Sequence, residues 1–570
     1  MVYQTGCFAN ADNLFSIHEN TTMNINKIIK KILNKRGFDT EEALQEYFSK
    51  KPKLTYDPFR LKGMEEAVNI IIDYAESGRR ICIFGDYDTD GITSVAVMKT
   101  ILSELTENLT YYIPSRFSEG YGLNMTAIDR MFEDGVELII TVDCGCTSVD
   151  EVAKIKELGM EIIVTDHHSI TDKAADCIIL NPKQYDDDYP CSFLCGCGVA
   201  FKVAQAISRK TGWGKKLLND ILDLVAIATI GDIVPLADEN RTLVKYGMLR
   251  ISTEKRLGLK ALMNKGQISP ENINSYNIAF GIVPRLNSSG RLKSADLGVE
   301  LLTCEDEKEA DKLANELNEL NEERKAIQQQ IFDAAVKEID EKSESDNFIV
   351  YYAGEANEGV TGIVAGKLRE KYNRPVIVLT DMKDSNFIKG TGRSIEKINL
   401  YELLKNYDNC FYRFGGHAGA CGFTLYREHK DYLIKSLNKA VADILKTNPN
   451  LFDCDPEPDA VISASDISFE LAEQIAAMEP FGEGNERPLF KIYNIHINKI
   501  WSMGKTGQYR KYICNDGNTV NFECIIFDSD IISESFVSEG DIVTLLGEIS
   551  INSWNGKQSL QISVKKFINI

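Results

Sequence analysis

The stretch Asp86-Tyr87-Asp88-Thr89-Asp90-Gly91 follows the apolar run Ile81-Cys82-Ile83-Phe84, a pattern that indicates an acidic loop at the end of a buried strand. Three more polar groups follow apolar, strand-like runs at 138–142, 162–165 and 222–230: Asp143-Cys144-Gly145, Asp166-His167-His168 and Gly231-Asp232. Ligands of an open α/β sheet bind beyond the carboxyl ends of its strands, so these groups are expected to meet in one crevice. Four acidic strand ends would repel one another unless cations lay between them. The sequence therefore predicts a metal site at the edge of a mainly parallel sheet.

Length and composition place the chain among soluble, multidomain proteins. Its 570 residues exceed the roughly 250 to 300 at which single cores stop growing. Hydrophobic residues make up 44% and charged residues 26%. No export signal opens the sequence, and no apolar run approaches the roughly 20 residues that cross a bilayer, so we expect a cytoplasmic protein without a membrane partner. The 14 cysteines are then expected to be reduced.

The net charge of -21 argues by itself against a nucleic-acid partner, because proteins that hold a phosphate backbone usually present a basic face. Several of the acids, however, belong to the predicted metal site. Binding also depends on where Lys and Arg cluster, so the total charge does not exclude a nucleic acid.

Hydrophobic patterning divides the chain into five regions. We predict an N-terminal helical segment (1–54), an α/β catalytic domain (55–304), a connecting helix or two joined helices (305–346), a smaller α/β domain (347–452) and a C-terminal β-barrel (453–570). Strands alternate with helical stretches in the catalytic domain, which is typical of a parallel sheet covered on both faces. The acidic, Pro-containing segment 453–458 is the clearest linker, and the mostly strand-like sequence after it favours a small antiparallel barrel.

The first acidic stretch resembles the opening of a calcium-binding EF-hand loop. That loop needs a bidentate Glu at its twelfth position, where this chain has Val97, so the EF-hand interpretation fails. Acids that merely solvate a turn are the other alternative. Three carboxylates at alternate positions after a buried strand would be costly without a counter-charge, which favours a metal site.

Two adjacent histidines, among only six in the chain, follow Asp166 directly. Imidazole and carboxylate together suit Mn²⁺, and carboxylate-rich sites also admit Mg²⁺. Paired ions of this kind activate a water molecule and neutralise charge on a phosphate, so phosphoester hydrolysis is the leading chemistry. Cys191, Cys195 and Cys197 lack the paired Cys-x-x-Cys spacing of a structural zinc site.

Candidate phosphate-binding side chains lie beside small residues. Arg116 precedes a Gly-containing loop, and Arg285, Asn287 and Arg291 surround Ser288-Ser289-Gly290. Arginine suits bidentate contacts to phosphate, although each could instead pair with a surface acid. The Gly-rich stretches 390–394 and 415–419 fit the same use but match no Walker or dinucleotide motif.

These motifs, in this order, resemble the DHH phosphoesterase superfamily and, within it, the RecJ family of single-strand-specific DNA exonucleases. The match covers about residues 50 to 560. The stretches 390–394 and 415–422 resemble the DHH-associated domain, and 479–485 resembles the entry to the family's OB-fold domain.

The resemblance implies a 5′-to-3′ exonuclease of DNA recombination and repair that releases mononucleotides from single-stranded DNA with two Mn²⁺ or Mg²⁺ ions. A helicase and a single-strand-binding protein would be its partners. Carried onto this chain, the residues fall into three groups. The metal ligands would be Asp88, Asp90, Asp143, His167 and Asp232. Further catalytic residues would be Asp86, Asp166 and His168. The substrate-binding residues would be Arg116, Arg285, Asn287, Arg291, Thr391, Arg393, Ser394 and His417.

One position departs from the family pattern. The chain has Ala356-Asn357 where the family usually has Trp-His, so a phosphate or base contact is expected to be missing there.

An OB-like barrel would bind bases through exposed rings and cations. The candidates, which could equally be barrel core and solvated Lys, are Trp501, Tyr509, Tyr512, Trp554, Lys499, Lys505, Arg510, Lys511 and Lys557.

Two other functions stay open. A phosphodiesterase of cyclic dinucleotides or short oligonucleotides would use the same site, but it would not need the barrel. A non-catalytic binding subunit, like the silent DHH relatives of eukaryotic replication, would have lost metal ligands that are present in this chain.

Overall fold

The structure is a computed structural model that describes residues 25–170, 173–212, 214–341, 346–382, 386–453, 456–504, 507–527, 531–532, 537–554 and 556–568. The first 24 residues of the predicted N-terminal segment, and Lys505, lie outside this part, as does the side chain of Trp554. No helix within it is long and apolar enough to cross a membrane. Two helices open the described chain: α1 (Lys27–Lys35) and α2 (Glu41–Phe48).

The catalytic domain is built on a five-stranded, all-parallel sheet with the strand order β2-β1-β3-β4-β5. Its strands are β1 (Ile81–Phe84), β2 (Leu109–Tyr112), β3 (Leu138–Val142), β4 (Glu161–Thr165) and β5 (Ile178–Leu180). The accompanying helices are α3 (Met64–Glu76), α4 (Thr89–Leu102), α5 (Met125–Glu133), α6 (Val149–Glu157) and α7 (Gly196–Thr211). Apolar residues of the sheet are buried on both faces, in two separate cores, as predicted for this architecture.

A helical layer completes this domain. It consists of α8 (Lys215–Asp220), α9 (Leu222–Gly231), α10 (Asp238–Ile251), α11 (Leu257–Lys265), α12 (Ser275–Asn277), a π-helical turn (Ile278–Ile282), α13 (Val283–Leu292) and α14 (Asp296–Thr303).

The interpretation of 222–230 as strand-like was wrong, because this run is the buried helix α9. A helix surrounded by protein is apolar on every side, and its sequence then lacks the 3.6-residue period that separates a helix from a strand. Asp232 therefore reaches the site from a helix C-terminus.

The connecting segment is a single helix, α15 (Glu307–Glu341), of 35 residues. It leads into the second domain: β6 (Ile349–Tyr352), α16 (Glu358–Tyr372), β7 (Val376–Asp381), β8 (Phe387–Arg393), α17 (Leu400–Lys405), β9 (Phe411–His417), β10 (Ala420–Tyr426) and α18 (Lys430–Thr447). Its sheet has the order β6-β7-β8-β10-β9, with only β6 and β7 parallel.

The C-terminal domain is a barrel, as predicted. It contains β11 (Ala460–Ser463), α19 (Phe469–Ala476), β12 (Phe490–Met503), β13 (Tyr509–Asn515), β14 (Asn521–Ile526), β15 (Ile542–Trp554) and β16 (Lys557–Ile568). Pairing of β12 with β15 closes five strands, and the pairs β14–β16 and β11–β12 are parallel rather than antiparallel. Ile29, Leu33 and Leu44 of α1 and α2 are buried in the barrel's own core.

Hydrogen bonds fix the barrel against the catalytic domain. The Arg241 guanidinium donates to the carbonyls of Met478 and Glu479, and the Leu236 amide donates to the Glu483 carbonyl at 2.7 Å. Arg241 is buried, so these charge-assisted bonds hold the junction in one arrangement.

Candidate metal centre

Four elements bring acids and an imidazole together at the carboxyl edge of the first sheet. Asp90 lies on the first turn of α4, Asp143 follows β3, His167 follows β4, and Asp232 follows α9. His167 Nε2 lies 3.2 Å from Asp143 Oδ1, 3.6 Å from Asp232 Oδ2 and 3.7 Å from Asp90 Oδ2. Residues more than 140 positions apart in the sequence therefore share one small volume.

Three overlapping groups could each hold a metal ion, since their ligand atoms lie within 4.8 Å of one another. These groups are Asp143 with His167 and His168, Asp90 with His167 and Asp232, and Asp86 with Asp88 and Asp143. Asp143 and His167 each belong to two of them. Shared ligands between adjacent sets are the arrangement that a pair of ions requires.

Backbone amides orient the carboxylates. Both oxygens of Asp90 accept from the N-terminus of α7, from the Gly196 amide at 2.6 Å and the Cys197 amide at 2.8 Å. Asp88 caps α4 and accepts from the Asp90 amide at 2.9 Å. A side chain at Gly196 would lie 2.6 Å from the Asp143 Cβ, so only glycine permits this approach of α7 to the acids.

These carboxylates are buried without enough positive charge nearby to balance their own negative charge. Burial, followed by repulsion from Asp88, raises the pKa of Asp90 to about 7. Burial, followed by repulsion from Asp90, raises the pKa of Asp232 to about 8, and burial also raises the pKa values of Asp86 and Asp143. One oxygen of Asp86, one of Asp143 and both ring nitrogens of His167 are buried without a hydrogen-bond partner. Such groups fit divalent cations, which would supply both the missing charge and the missing partners.

The two histidines have different environments. Burial lowers the pKa of His167 to about 3, so its ring is the neutral form that ligates metals. His168 Nδ1 lies 2.8 Å from Asp166 Oδ1. Burial by itself would lower the pKa of His168, but this hydrogen bond and the charges of Asp166, Asp232 and Asp90 together raise it. Burial would raise the pKa of Asp166, but its hydrogen bonds, first that with His168, lower it. His168 therefore favours the imidazolium form beside the acids.

Guanidinium groups collect beside Asp86 and Asp88. Burial, then repulsion from Arg116 and Arg324, lowers the pKa of Arg291 to about 10, and Arg393 repels the same group. Arg116 lies 4.2 Å from the centroid of the Tyr87 ring. Cations held this close in a buried place favour an anion between them.

Sequence reasoning missed Arg324. Its guanidinium donates to Asn321 Oδ1 at 3.0 Å and to Gln328 Oε1 at 2.9 Å, all within α15. A signal was present, since three polar residues at helical spacing lie on the side of α15 that is otherwise buried and apolar.

Several predicted substrate-binding residues contact protein groups. Arg285 donates to Asn318 Oδ1 at 3.0 Å and to the Gly281 carbonyl, on the α15 side of α13. Asn287 Oδ1 accepts from the Thr89 amide at 2.8 Å and so supports residues 86–90, which carry three candidate metal-binding acids and which we call the metal loop. The Ser394 hydroxyl donates to the Ile398 carbonyl at 2.8 Å.

Two other predicted residues belong to β8 and β9. Thr391 faces α16, where a side chain at Gly362 would lie 3.2 Å from the Thr391 methyl and from the Arg393 guanidinium. His417 is exposed on the edge strand β9, and its Nδ1 accepts from the Gly419 amide at 3.3 Å. Among the described residues, no group that could hold a metal contains a cysteine.

Family models match three parts of the chain. Residues 80–229 match the DHH family N-terminal domain, 345–443 the DHHA1 domain and 458–566 the RecJ OB domain. The single-stranded-DNA-specific exonuclease RecJ of Bacillus subtilis is 37% identical over 544 residues, which is 95% of this chain and 68% of that protein. The RecJ of Escherichia coli is 32% identical, over 94% of this chain and 95% of its own length.

The chain belongs to the RecJ family. A crystal structure of RecJ from Thermus thermophilus in complex with Mn²⁺ superposes with a TM-score of 0.79 at 27% identity, covering 95% of this chain and 75% of that one. The Mg²⁺ complex of the same protein gives a TM-score of 0.73 at 26% identity, with 95% and 74% covered. Both metals predicted from the donor set thus occur in structures of RecJ proteins.

Asn357, at which the sequence predicts a departure from the family pattern, lies beside an open cleft. Asn357 caps α16 and accepts from the Gly359 amide at 2.9 Å. The cleft, of about 1080 Å³, also has Phe117, Lys389 and Arg427 on its walls. The Asn357 side chain is shorter than that of histidine, so the cleft is wider here than it would be beside an imidazole.

Proposed function

We propose that this protein is a metal-dependent exonuclease that hydrolyses single-stranded DNA from its 5′ end and releases mononucleotides. The observation that carries the proposal is the juxtaposition of three acid and imidazole groups, each with two buried members, with a cluster of guanidinium groups. The first suits a pair of Mn²⁺ or Mg²⁺ ions, and the second suits phosphate.

The residues that would hold the ions are Asp88, Asp90, Asp143, His167 and Asp232, with Asp86 beside them. Bound there, the ions would supply an activated water molecule and neutralise charge on the scissile phosphate. Asp90 is oriented by the N-terminus of α7, and neutral His167 presents a free Nε2.

Asp166 and His168 would act on the leaving group. Asp166 fixes His168 through Nδ1, so its Nε2 is available to the substrate. In the proposed step, the attacking water loses one proton to solvent, its oxygen bonds to phosphorus, and the bond from phosphorus to the 3′ oxygen of the terminal nucleotide breaks. His168 Nε2 then donates its proton to that oxygen, which leaves a mononucleotide and a new 5′-phosphate on the strand.

The 5′ end would lie among Arg116, Arg291, Thr391 and Arg393. The second domain touches the catalytic domain here, because Arg291 donates to the Gly359 carbonyl of α16 at 2.8 Å. We propose that this contact narrows the cleft so that only an unpaired strand end enters it. We therefore propose that a helicase and a single-strand-binding protein supply the substrate during repair and recombination. We also propose that the protein acts in the cytoplasm, where its many buried thiols stay reduced.

The test is release of nucleotides from 5′-phosphorylated single-stranded DNA with Mn²⁺, comparing labels at the two ends. Label at the 5′ end should appear first as a mononucleotide, and blunt duplex of the same sequence should resist. Asp143→Ala should reduce the rate at least about a thousandfold, because it removes one of the five proposed metal ligands. Asp150→Ala, an exposed acid on α6, is the matched control. Equal rates for Asp143→Ala and wild type would refute the assigned site.

A further inference from the structure

An apolar face begins at the residue that follows the acid cluster. Ile233, next to Asp232, is 70% exposed, and its φ is 57°. This backbone region is strongly disfavoured for a β-branched side chain, and such strain persists where surrounding structure enforces it, most often at functional sites. The strained backbone presents an isoleucine to solvent beside the metal-binding residues.

Two aromatic side chains share this face. Tyr276 and Phe280 are 67% and 66% exposed, and their ring centroids lie 4.7 Å apart. Phe280 belongs to the π-helical turn Ile278–Ile282, a rare conformation that is frequent at functional sites. We call Ile233, Tyr276 and Phe280 the Ile233 face. With Phe481 and neighbouring residues it lines a cleft of about 420 Å³ between the C-terminal end of α9 and the barrel junction.

The charges around this face disfavour phosphate. Glu483 and Glu486 are exposed on its rim, and its cation Arg487 pairs with Glu479 and lies 4.3 Å from the Phe481 ring centroid. A DNA backbone would be repelled here and attracted to the cluster of Arg116, Arg291 and Arg393. Nucleobases, in contrast, have π-faces that stack on aromatic rings whatever their sequence.

We propose that the Ile233 face is a stacking platform for the bases of the substrate strand immediately 3′ of the scissile phosphate. This inference rests on the proposed function. With the 5′ end among the arginines and the scissile phosphate at the acids, the strand continues past Asp232 toward the barrel. Its backbone keeps to the basic side while its bases cover Ile233, Tyr276 and Phe280. The platform positions the strand and takes no part in the chemical step.

The decisive variants are the double replacement Tyr276→Ala with Phe280→Ala, and Phe280→Trp as the conservative change. Both aromatic side chains are exposed, so their removal leaves the buried core intact. Tyr185→Ala, a fully exposed tyrosine on another loop, is the matched control.

Binding is measured in EDTA with oligodeoxythymidines that carry 2-aminopurine at successive positions from the 5′ end. The full-length wild type should quench the fluorophore at the positions nearest the scissile bond. The double variant should lose that quenching and bind at least about fivefold more weakly. Phe280→Trp and Tyr185→Ala should behave as wild type. With Mn²⁺, the double variant should raise KM by a similar factor and leave kcat within about twofold, since stacking contributes equally to ground and transition states.

An abasic strand separates stacking from a merely structural effect. Removing the bases next to the scissile bond should weaken binding to wild type and leave binding to the double variant unchanged. Unaltered quenching and affinity in the double variant would overturn the platform, even if the enzyme digests DNA normally. Failure of wild type to bind or cut single strands would instead overturn the proposed function.

Discussion

At the candidate metal centre, Asp90 and Asp232 show the clearest electrostatic cost of ionising a buried carboxyl group. Burial and like charges raise their pKa values to about 7 and about 8, well above those of carboxyls in an unfolded chain. The metal-free folded protein therefore binds more protons than the unfolded chain between the unfolded values and pH 8. Wherever the folded state binds more protons, stability falls as pH rises.

Thermal unfolding should show this decrease of stability with rising pH. In EDTA, the contribution of these two acids to the free energy of unfolding should fall by at least about 1 kcal/mol as the pH is raised from about 6 to about 9. Mn²⁺ should raise the melting temperature most at the higher pH, because the ions bind the ionised carboxylates. Calorimetry of wild type and Asp232→Asn measures the effect, and the variant should lose part of the pH dependence. An identical pH dependence in both proteins would contradict the assignment to Asp232.

Arg291 should govern binding of the 5′ end. Its guanidinium lies among other cations, so removing it takes away a proposed phosphate ligand and relieves repulsion within the protein. Arg291→Gln should therefore raise KM for 5′-phosphorylated DNA at least about tenfold without loss of thermal stability. Lys439→Gln, an exposed cation on α18, should leave KM unchanged. Steady-state rates across strand concentration measure both, and an unchanged KM in Arg291→Gln would place the 5′ end elsewhere.

Helix α13 positions the metal loop through close backbone contact. A side chain at Gly290 would lie 2.2 Å from the Tyr87 carbonyl oxygen, which belongs to the loop carrying Asp86 and Asp88. The backbone atom cannot move aside without displacing those carboxylates. Helix α13 therefore helps to fix the position of this loop, in addition to strand β1, which precedes it.

Gly290→Ala should accordingly reduce Mn²⁺ affinity and the hydrolysis rate, each at least about tenfold, because a displaced carboxylate is a poorer ligand. Gly366→Ala in α16 is the matched control, since no atom lies within 4 Å of its added methyl group. The control should keep full activity and gain up to about 1 kcal/mol of stability from higher helix propensity. Calorimetric Mn²⁺ titration of both variants is the measurement. Equal affinity in the two would show that α13 does not determine the position of the loop.

The sequence predicted the parallel strands and their terminal acids because short apolar runs bounded by acids have a local signature. Helix α9 lacked such a signature, since burial on every side removes its periodicity. Arg324 was missed for a different reason. Arg324 lies near Arg291 because α15 packs against α13, and no local sequence pattern indicates which two helices pack together. The Ile233 face likewise depends on a backbone angle and a π-turn that composition does not reveal.

The barrel and the catalytic domain have separate hydrophobic cores. The barrel core includes residues of α1 and α2, whereas the catalytic and connecting helices share another core. The barrel presents Trp501 and Phe527 to solvent, while Tyr512 is buried and Lys511 pairs with Glu523 at 2.6 Å. Of the aromatic candidates, Trp501 is thus available to a strand and Tyr512 is core.

A protein limited to residues 50–453 tests whether long strands need the barrel. Removing α1, α2 and the barrel together takes away one complete core and leaves the acids, the arginines and the second domain in place. Hydrolysis of a 5′-phosphorylated dinucleotide should stay within about threefold of the full chain, because both its phosphates lie at the retained site. Affinity for a 40-nucleotide strand should fall at least about tenfold, since stacking and backbone contacts along the barrel are lost. Circular dichroism verifies the fold, and nucleotide release is compared for the two substrates. Equal rates on the long strand with and without the barrel would favour an enzyme of short oligonucleotides over an exonuclease of long strands.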